Sequence, residues 1–362
     1  MTNLKNIINL SNITGDVVAV GVSGGADSLA LVLLLDEFLR PQGQRVVALT
    51  VDHGLRPESR TEAEYVAELM AMRGIEHHIL VWEGVKPQHG IEEAARMARY
   101  DLLGGWCEAN GVQTLCVAHH QQDQAETFFM RLQRGSGLTG LCGMAPVFYL
   151  KGLKIVRPLL SVSPQQLRNY LEQKHVRWVE DPSNQSEDFF RVRIRKFLPD
   201  FEKATGITPQ RIAETMEILA RSRDYLREQA EEVIDGQACC WDGAGFSLPR
   251  KFFEKQHSEL IYQVLSTLLK KVGGGIYTPR AADVERLASV LKTAEFKGAT
   301  LGGCEVFSAK GKIWIIPELR LKKKMPKTVW LSFIRQYPGY AKLDLPYKLR
   351  VALVKNKMAI EF

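Results

Sequence analysis

Several features that mark specialised classes of protein are missing from this 362-residue sequence. No run of apolar residues is long enough to cross a membrane, and residues 1–10 lack the apolar core of a secretion signal, so we expect neither a membrane protein nor a secreted one. The six cysteines form no CxxC pair and no spacing typical of a disulfide framework. This pattern favours the reducing cytoplasm. Internal repeats and low-complexity segments are also absent.

The composition is that of an ordinary globular protein, with 45% hydrophobic and 25% charged residues. The length is enough for two or three domains with cores of their own. The 48 basic residues outnumber the 41 acidic residues, which gives a formal net charge of +7. A modest positive charge permits a nucleic-acid partner but does not require one.

The most informative stretch is a glycine turn between an apolar strand, residues 17–22, and an apolar helix, residues 29–35. Small residues let backbone N–H groups approach an anion, and the start of the helix points its positive dipole end at the same place. No lysine follows the glycines, as it would in a Walker loop. The loop instead contains Asp27, a carboxylate suited to hold Mg²⁺ beside phosphates. An ordinary strand-to-helix turn is the alternative. The predicted phosphate-binding residues are Ser23, Gly24, Gly25, Ala26, Asp27 and Ser28.

Short apolar runs alternate with amphipathic stretches over residues 1–200, which predicts βαβ units and a parallel sheet. The second strand, residues 46–51, is followed by Asp52, His53 and Arg56. Polar residues at the carboxyl ends of such strands line the crevice where ligands bind. Asp52 and His53 are therefore candidates for contacts to the base or ribose of a nucleotide, and Arg56 for a phosphate. A solvated turn in which Asp52 caps the next helix is the alternative.

A fourth predicted strand, residues 114–118, delivers more polar residues to the same edge. On a helix, His119, Asp123 and Glu126 would share one face. That face could present a second carboxylate for the metal, an acid or base, and an orienting partner. A salt-bridged helix start is the alternative.

Two clusters of cations accompany these residues. Arg96 and Arg99 share a face of a predicted amphipathic helix and could reach phosphates or carboxylates of one ligand. Residues 191–196 place four cations within six positions, alternating with apolar residues, and phosphates of ATP or RNA would balance that charge. Solvated surface charge is the alternative for both. His77 and His78 would project to opposite faces of a third strand, and we interpret them as structural.

Four parts are predicted along the chain: a nucleotide-binding domain over residues 1–200, a connecting helix over 201–234, a small α+β unit over 235–318, and a basic linker with a short C-terminal segment over 319–362. Residues 156–160 are expected to form a strand broken by proline. The last 35 residues are expected to hold short strands, too few for a core of their own.

Eight segments, in order along the chain, resemble the motifs of the tRNA(Ile)-lysidine synthetases, a family of the PP-loop ATP-pyrophosphatase superfamily. They are SGGADS, VDHGLR, AARMARY, AHHQQDQAET, RGSGLTGL, RPLL, EDPSN and RVRIR. The resemblance covers residues 17–198, and residues 300–304 with 313–318 resemble that family's substrate-binding domain. It implies an α/β fold: a Rossmann-like parallel-sheet PP-loop domain, a helical linker, and a small α+β domain that binds the tRNA substrate.

The resemblance also implies a reaction. In that family, the enzyme uses ATP and Mg²⁺ to adenylate O2 of the wobble cytidine in the CAU anticodon of an isoleucine tRNA. Free L-lysine then attacks C2, AMP leaves, and lysidine remains. The codon read changes from AUG to AUA, and the amino acid from methionine to isoleucine.

Carried onto this sequence, the resemblance implies that residues 23–28 hold the ATP phosphates and that Asp27 and Asp123 hold Mg²⁺. It leaves a homodimer open and implies a cytoplasmic enzyme with no membrane partner. The implied catalytic residues are Asp27, His119, Asp123, Glu126, Arg191 and Arg195. His119 and Glu126 would line the reaction centre, and the two arginines would stabilise the charge that develops as pyrophosphate leaves.

Two residues depart from the family pattern. Gln122 stands where the family usually has the first of two acids, and Val192 stands where it has asparagine. Two alternative functions remain: a PP-loop tRNA thiolase, which would deliver sulfur to an adenylated base, and a degenerate ATP- or RNA-binding scaffold. Thiolases commonly use CxxC or paired catalytic cysteines, which this sequence lacks. The intact Asp27, Asp123 and Glu126 argue against the scaffold.

Overall fold

The computed structural model describes residues 4, 8–87, 89–180, 190–274, 279–293, 295–319, 325–341 and 343–358. The chain divides into two compact units, Met1–Leu219 and Ala220–Phe362, which are described separately. The predicted turn at residues 180–184 lies outside the described residues beyond Glu180. No helix in the described ranges is both long enough and apolar enough to span a membrane.

The first unit is built on a six-stranded sheet with the strand order β3-β2-β1-β4-β6-β5. All neighbours are parallel except the edge strand β5, which pairs antiparallel with β6. The predicted α/β fold with a parallel sheet is therefore confirmed. The strands are β1 Val17–Gly21, β2 Arg45–Asp52, β3 Glu76–Val81, β4 Thr114–Cys116, β5 Val147–Leu150 and β6 Leu153–Val156.

The helices of this unit are α1 Ala26–Leu39, α2 Glu58–Arg73, α3 Ile91–Ala109, α4 Gln121–Gln133, the short α5 Leu138–Leu141, α6 Pro164–Gln173 and α7 Phe190–Thr205. Of these, α1, α2 and α6 pack on one face of the sheet and α3 packs on the other. Successive residues of a strand point to opposite faces, so Val18 and Val20 of β1 join one core with α1, α2 and α6, whereas Ala19 joins another with α3. The apolar block of α1 is almost entirely buried. β1 thus forms the centre of the unit, with β2 on one side and β4 on the other.

One prediction for this unit needs correction. The strand expected at residues 156–160 ends at Val156, because Pro158 cannot donate a backbone hydrogen bond to a sheet. The alternating segment 191–196 lies in the helix α7, whose buried Ile194 and Leu198 pack with α4. Val192, the departure from the family pattern, is also buried there.

Most of the segment predicted as a connecting helix, residues 201–234, lies in α8, Pro209–Gln237, and the boundary between the two units falls inside this helix. The second unit has an antiparallel sheet with the order β7-β8-β11-β10-β9. Its strands are β7 Cys239–Cys240, β8 Phe246–Pro249, β9 Gly298–Leu301, β10 Cys304–Ala309 and β11 Lys312–Pro317. Its helices are α9 Arg250–Lys255, α10 Ser258–Gly273, α11 Ala281–Leu291, α12 Lys327–Gln336 and α13 Tyr347–Met358.

The last 35 residues differ from the prediction of short strands. They form α12 and α13, which cover one face of the second sheet. Alternation along β11 separates two cores: Ile313 and Ile315 pack with α10 and α11, while Trp314 and Ile316 pack with α12 and α13. The C-terminal helices therefore complete a core rather than standing outside one.

Candidate active site

The predicted phosphate-binding loop has a backbone that leaves the start of α1 open to an anion. Gly25 is extended at the N-cap of α1, and no side chain caps the helix. The first N–H groups of a helix have no partner within it, so here they are available to a ligand. Ser28 Oγ donates to the carbonyl of Gly25 at 3.0 Å and accepts from the N–H of Ser23 at 3.0 Å. These bonds hold the loop in one shape.

Gly24 is the position in this loop that requires glycine. Its φ is +82°, a conformation that L side chains rarely adopt, and a Cβ there would lie 3.4 Å from Cγ2 of Val66. The carbonyl of Gly24 accepts a hydrogen bond from the N–H of Val179 at 3.0 Å. At Gly24, the loop is therefore packed against Val66 and Val179.

α4 begins at Gln121. The predicted helical face shared by His119, Asp123 and Glu126 would need a helix that begins two residues earlier. His119 lies before the helix, so only Asp123 and Glu126 of the three predicted residues are helical. His119 nevertheless lies close enough to Asp123 and Arg191 to feel their charges. Its Nδ1 is buried with no hydrogen-bond partner among the described residues.

His120, which sequence reasoning passed over, occupies the N-cap of α4. Its Nδ1 accepts from the N–H of Asp123 at 3.3 Å, and its own N–H donates to Asp123 Oδ2 at 2.9 Å. The other ring nitrogen, Nε2, lies 3.4 Å from Asp27 Oδ2. The imidazole thus connects the phosphate-binding loop to the first turn of α4. The sequence signal for this cap is the acid Asp123, three residues after His120, which is the spacing of a capping box. Histidine is not a usual N-cap residue, so the signal was missed.

The carboxylates of α4 are bound by two arginines of α7. Arg191 donates through Nη2 to Asp123 Oδ1 at 2.5 Å and through Nε to Glu126 Oε2 at 2.5 Å. Arg195 donates through Nε to Glu126 Oε1 at 2.7 Å and through Nη2 to Oε2 at 3.3 Å. Within the described ranges, neither Nη1 group has a hydrogen-bond partner. Four of the predicted catalytic residues are thus in one network.

Burial and charge set the protonation of this network. Burial, together with the charges of Arg157 and Arg191, lowers the pKa of His119 and keeps the ring neutral, although Asp123 opposes the shift. Burial alone would raise the pKa of Asp123, but the charges of His120 and Arg191 lower it below its usual range. Burial also opposes protonation of His120, yet its contacts with Asp27 and Asp123 raise its pKa. The site therefore holds the ionised carboxylate of Asp123 beside the fixed cations Arg191 and Arg195.

The polar residues at the carboxyl end of β2 have different roles in the structure. Asp52 Oδ1 accepts from the N–H of Gly54 at 3.0 Å and from Ser59 Oγ at 2.8 Å, which supports the turn interpretation. Arg56 forms an ion pair with Glu62. His53 keeps a buried Nδ1 with no partner among the described residues, and burial with the charge of Arg99 lowers its pKa to about 4. A neutral ring with a free nitrogen can contact a ligand.

A magnesium ion fits part of this donor set. No group of three or more His, Cys, Asp or Glu side chains in the described ranges is arranged to hold a metal ion. Mg²⁺, however, is commonly bound by one or two carboxylates together with substrate phosphates. Asp27 suits this mode, since its side chain is 39% exposed beside the phosphate-binding loop. Both oxygens of Asp123 already accept hydrogen bonds, but each keeps a second lone pair.

Known proteins resemble this chain over most of its length. A family model described as "PP-loop domain" matches residues 1–201. A protein from Bradyrhizobium sp. strain BTAi1, named tRNA(Ile)-lysidine synthase, is 46% identical over 323 residues, covering 83% of this chain and 90% of that protein. A protein of the same name from Ruegeria pomeroyi is 36% identical over 297 residues, covering 82% and 70%.

Among solved structures, a U34-tRNA thiolase from Methanococcus maripaludis with its [4Fe-4S] cluster is similar with a TM-score of 0.50 and 19% sequence identity. The match covers 60% of this chain and 76% of the thiolase. At this identity the likeness concerns the fold alone.

Proposed function

The chain belongs to the tRNA(Ile)-lysidine synthase family of PP-loop proteins, and from that membership we propose that it is an ATP-dependent carbon–nitrogen ligase acting on an isoleucine tRNA with a CAU anticodon. O2 of the wobble cytidine attacks the α-phosphate of ATP and pyrophosphate leaves. The amine of free L-lysine then forms a bond to C2, and AMP departs with the O2 atom. The product is lysidine, which reads AUA instead of AUG and specifies isoleucine instead of methionine.

One observation carries this proposal: His120 connects the phosphate-binding loop to the Asp123–Glu126–Arg191–Arg195 network. The two parts follow the neighbouring strands β1 and β4, at the edge of the sheet where open α/β folds bind ligands. Transfer of an adenylyl group requires anion binding next to fixed positive charge. This arrangement supplies both.

Each part has a role in the proposed reaction. The open N–H groups at the start of α1 bind the ATP phosphates, and residues 23–28 form their cradle. The partly exposed guanidinium groups of Arg191 and Arg195 stabilise negative charge as pyrophosphate leaves. Glu126 orients both guanidinium groups. The neutral ring of His119 lines the reaction centre and can accept a proton there. His53 is a candidate contact for the nucleoside.

Mg²⁺ belongs to the proposal as a cofactor, with Asp27 as its ligand beside the phosphates and Asp123 as a second candidate. When bound, the ion would neutralise phosphate charge. We place the reaction in the cytoplasm, as cysteine usage predicts, and a homodimer is compatible with the sequence. A thiolase reaction is not favoured, because the similarity to a thiolase concerns the fold alone and the sequence has no CxxC pair.

The proposal predicts how ATP cleavage depends on substrates. Sustained AMP formation should require both the tRNA and free lysine, because lysine releases AMP from the adenylated cytidine. Asp27→Asn should lower this rate by at least about 10²-fold, the scale on which loss of an electrostatic group acts. Asp36→Asn, at the other end of α1, is the matched control and should leave the rate unchanged. Sustained AMP formation without lysine would contradict the ligase.

A further inference from the structure

His120 is almost fully buried, yet no role in the reaction has been given to it so far. Its ring lies between the carboxylates that the proposal offers to Mg²⁺: Nε2 is 3.4 Å from Asp27 Oδ2, and Nδ1 is 3.5 Å from Asp123 Oδ2. Asp27 lies in the first turn of α1 and Asp123 in the first turn of α4. The same ring therefore contacts the starts of two helices.

The cap of α4 fixes which nitrogen faces Asp27. Nδ1 accepts a hydrogen bond from the N–H of Asp123, so it carries a lone pair and the ring proton of the neutral form is on Nε2. An imidazolium ring would also carry a proton on Nε2. In both forms, the nitrogen that lies 3.4 Å from Asp27 Oδ2 carries a proton.

We propose that His120 is a positioning residue of the ATP site: it uses the cap of α4 as an anchor and holds the Asp27 carboxylate in place for the nucleotide. Asp27 is the more exposed of the two carboxylates, and within the described ranges the His120 ring is the only basic side chain within 4 Å of its oxygens. Without this contact, the side chain of Asp27 would occupy other rotamers and would have to be ordered on binding. The proposal rests on the assignment of ATP to this site.

A role limited to capping the helix is the competing explanation, and a substitution separates the two. Asparagine is among the preferred N-cap residues, so His120→Asn keeps an acceptor for the N–H of Asp123. Its side chain is too short to reach Asp27. His120→Ala removes both functions. Ser163→Ala is the matched control, because it removes the cap of α6 in the same unit, where Ser163 Oγ accepts from the N–H of Gln166.

The test combines thermal unfolding without nucleotide with calorimetric titration of ATP plus Mg²⁺ and of AMP, which lacks the β and γ phosphates. For His120→Asn we expect an unchanged Tm, unchanged AMP affinity, and an affinity for ATP with Mg²⁺ that falls by about tenfold or more. Ser163→Ala should lower Tm and leave both affinities as in the wild type. Unchanged ATP affinity in His120→Asn, or an equal fall for ATP and AMP, would overturn the proposal.

A second measurement needs no variant. Nitrogen-15 NMR of the histidine-labelled protein should show a proton on Nε2 of His120, and a ring protonated on Nδ1 alone would overturn the proposal. Neither measurement requires tRNA or lysine. If the wild-type protein binds ATP but makes no lysidine, the proposed function fails while the role of His120 is still tested.

Discussion

Glu126 has no solvent-exposed surface, and two arginines of α7 hold its carboxylate from one side. Burying a charge is costly unless it is paired and hydrogen-bonded. Arg191 and Arg195 therefore serve the stability of the fold as well as the electrostatics of the site. Their own side chains remain 38% and 35% exposed, so they can meet a ligand while paired.

This arrangement predicts that the two arginines are energetically coupled. Arg191→Met or Arg195→Met leaves Glu126 with one partner, but the double variant leaves a buried carboxylate alone. We expect the double variant to lose about 3–5 kcal/mol of unfolding free energy, more than the sum of the single losses. Urea denaturation measures these values. Adding Glu126→Gln to the double variant should recover part of the loss, and strict additivity of the single variants would contradict the coupling.

His77, which lies outside the candidate site, should make the free energy of unfolding depend on pH. Burial and the charge of His78 lower its pKa from 6.5 to about 4, and its ring is hydrogen-bonded to Thr50 Oγ1 at 2.8 Å. Since the folded state binds the proton more weakly, this histidine stabilises the fold above pH 6.5, and the stabilisation is lost as the pH falls toward 4.

From pH 7 to pH 5, we expect the neutral His77 ring to account for about 1 kcal/mol of lost unfolding free energy, after allowance for its partial solvent contact. His77→Gln should remove this part of the pH dependence in urea denaturation. His89→Gln, at an exposed position, is the control and should retain it. A His77→Gln protein with the wild-type pH dependence would show that this histidine is not responsible.

At the residue scale, the sequence predicted the members of the network better than their contacts. The spacing of Asp123 and Glu126 pointed to a metal or acid–base role, and the cation cluster that contains Arg191 and Arg195 pointed to phosphates. The structure brings these residues together. The position of His120 could not be derived in this way. Its contact with Asp27 joins residues far apart in sequence, so it depends on the order of strands β1 and β4 in the sheet.

At the element scale, α12 and α13 show where local pattern and tertiary structure disagree. α12 is rich in aromatic and β-branched residues, which favour strands. In the structure, both helices instead supply one layer of the core against Trp314 and Ile316. Packing against a sheet face already formed can override such propensities, and this face is not visible in the local sequence.

Substitution of Phe333 tests how much α12 and α13 contribute to the stability of the second unit. Its side chain is fully buried in α12 and its ring lies 5.1 Å from the ring of Trp330 and 4.9 Å from that of Tyr337. Phe333→Ala should lower the unfolding free energy by about 3–5 kcal/mol, since it leaves a cavity. Leu331→Ala, at a 42% exposed position in the same helix, should stay within about 0.5 kcal/mol of the wild type.

Urea denaturation followed by tryptophan fluorescence measures both Phe333→Ala and Leu331→Ala. An equal, small effect of the two substitutions would mean that α12 does not belong to the core of the second unit.

At the scale of the whole molecule, the parallel sheet of the first unit was predictable because it follows from local alternation of apolar strands and amphipathic helices. The site was predictable because the carboxyl ends of parallel strands meet at one edge. The division of the chain into two units was harder to predict from the sequence. The boundary between the units lies inside α8, and no change of composition marks it. The boundaries proposed at residues 200, 234 and 318 remain predictions.

The central claim is the ligation of lysine to the wobble cytidine, and incorporation of labelled lysine tests it most directly. The purified protein would be given isoleucine tRNA with a CAU anticodon, ATP and Mg²⁺. We predict that label enters the tRNA, that it is found in the wobble nucleotide after digestion, and that changing this cytidine to uridine abolishes it. Cleavage of ATP with no label in the tRNA, or label that persists in the uridine variant, would contradict the account.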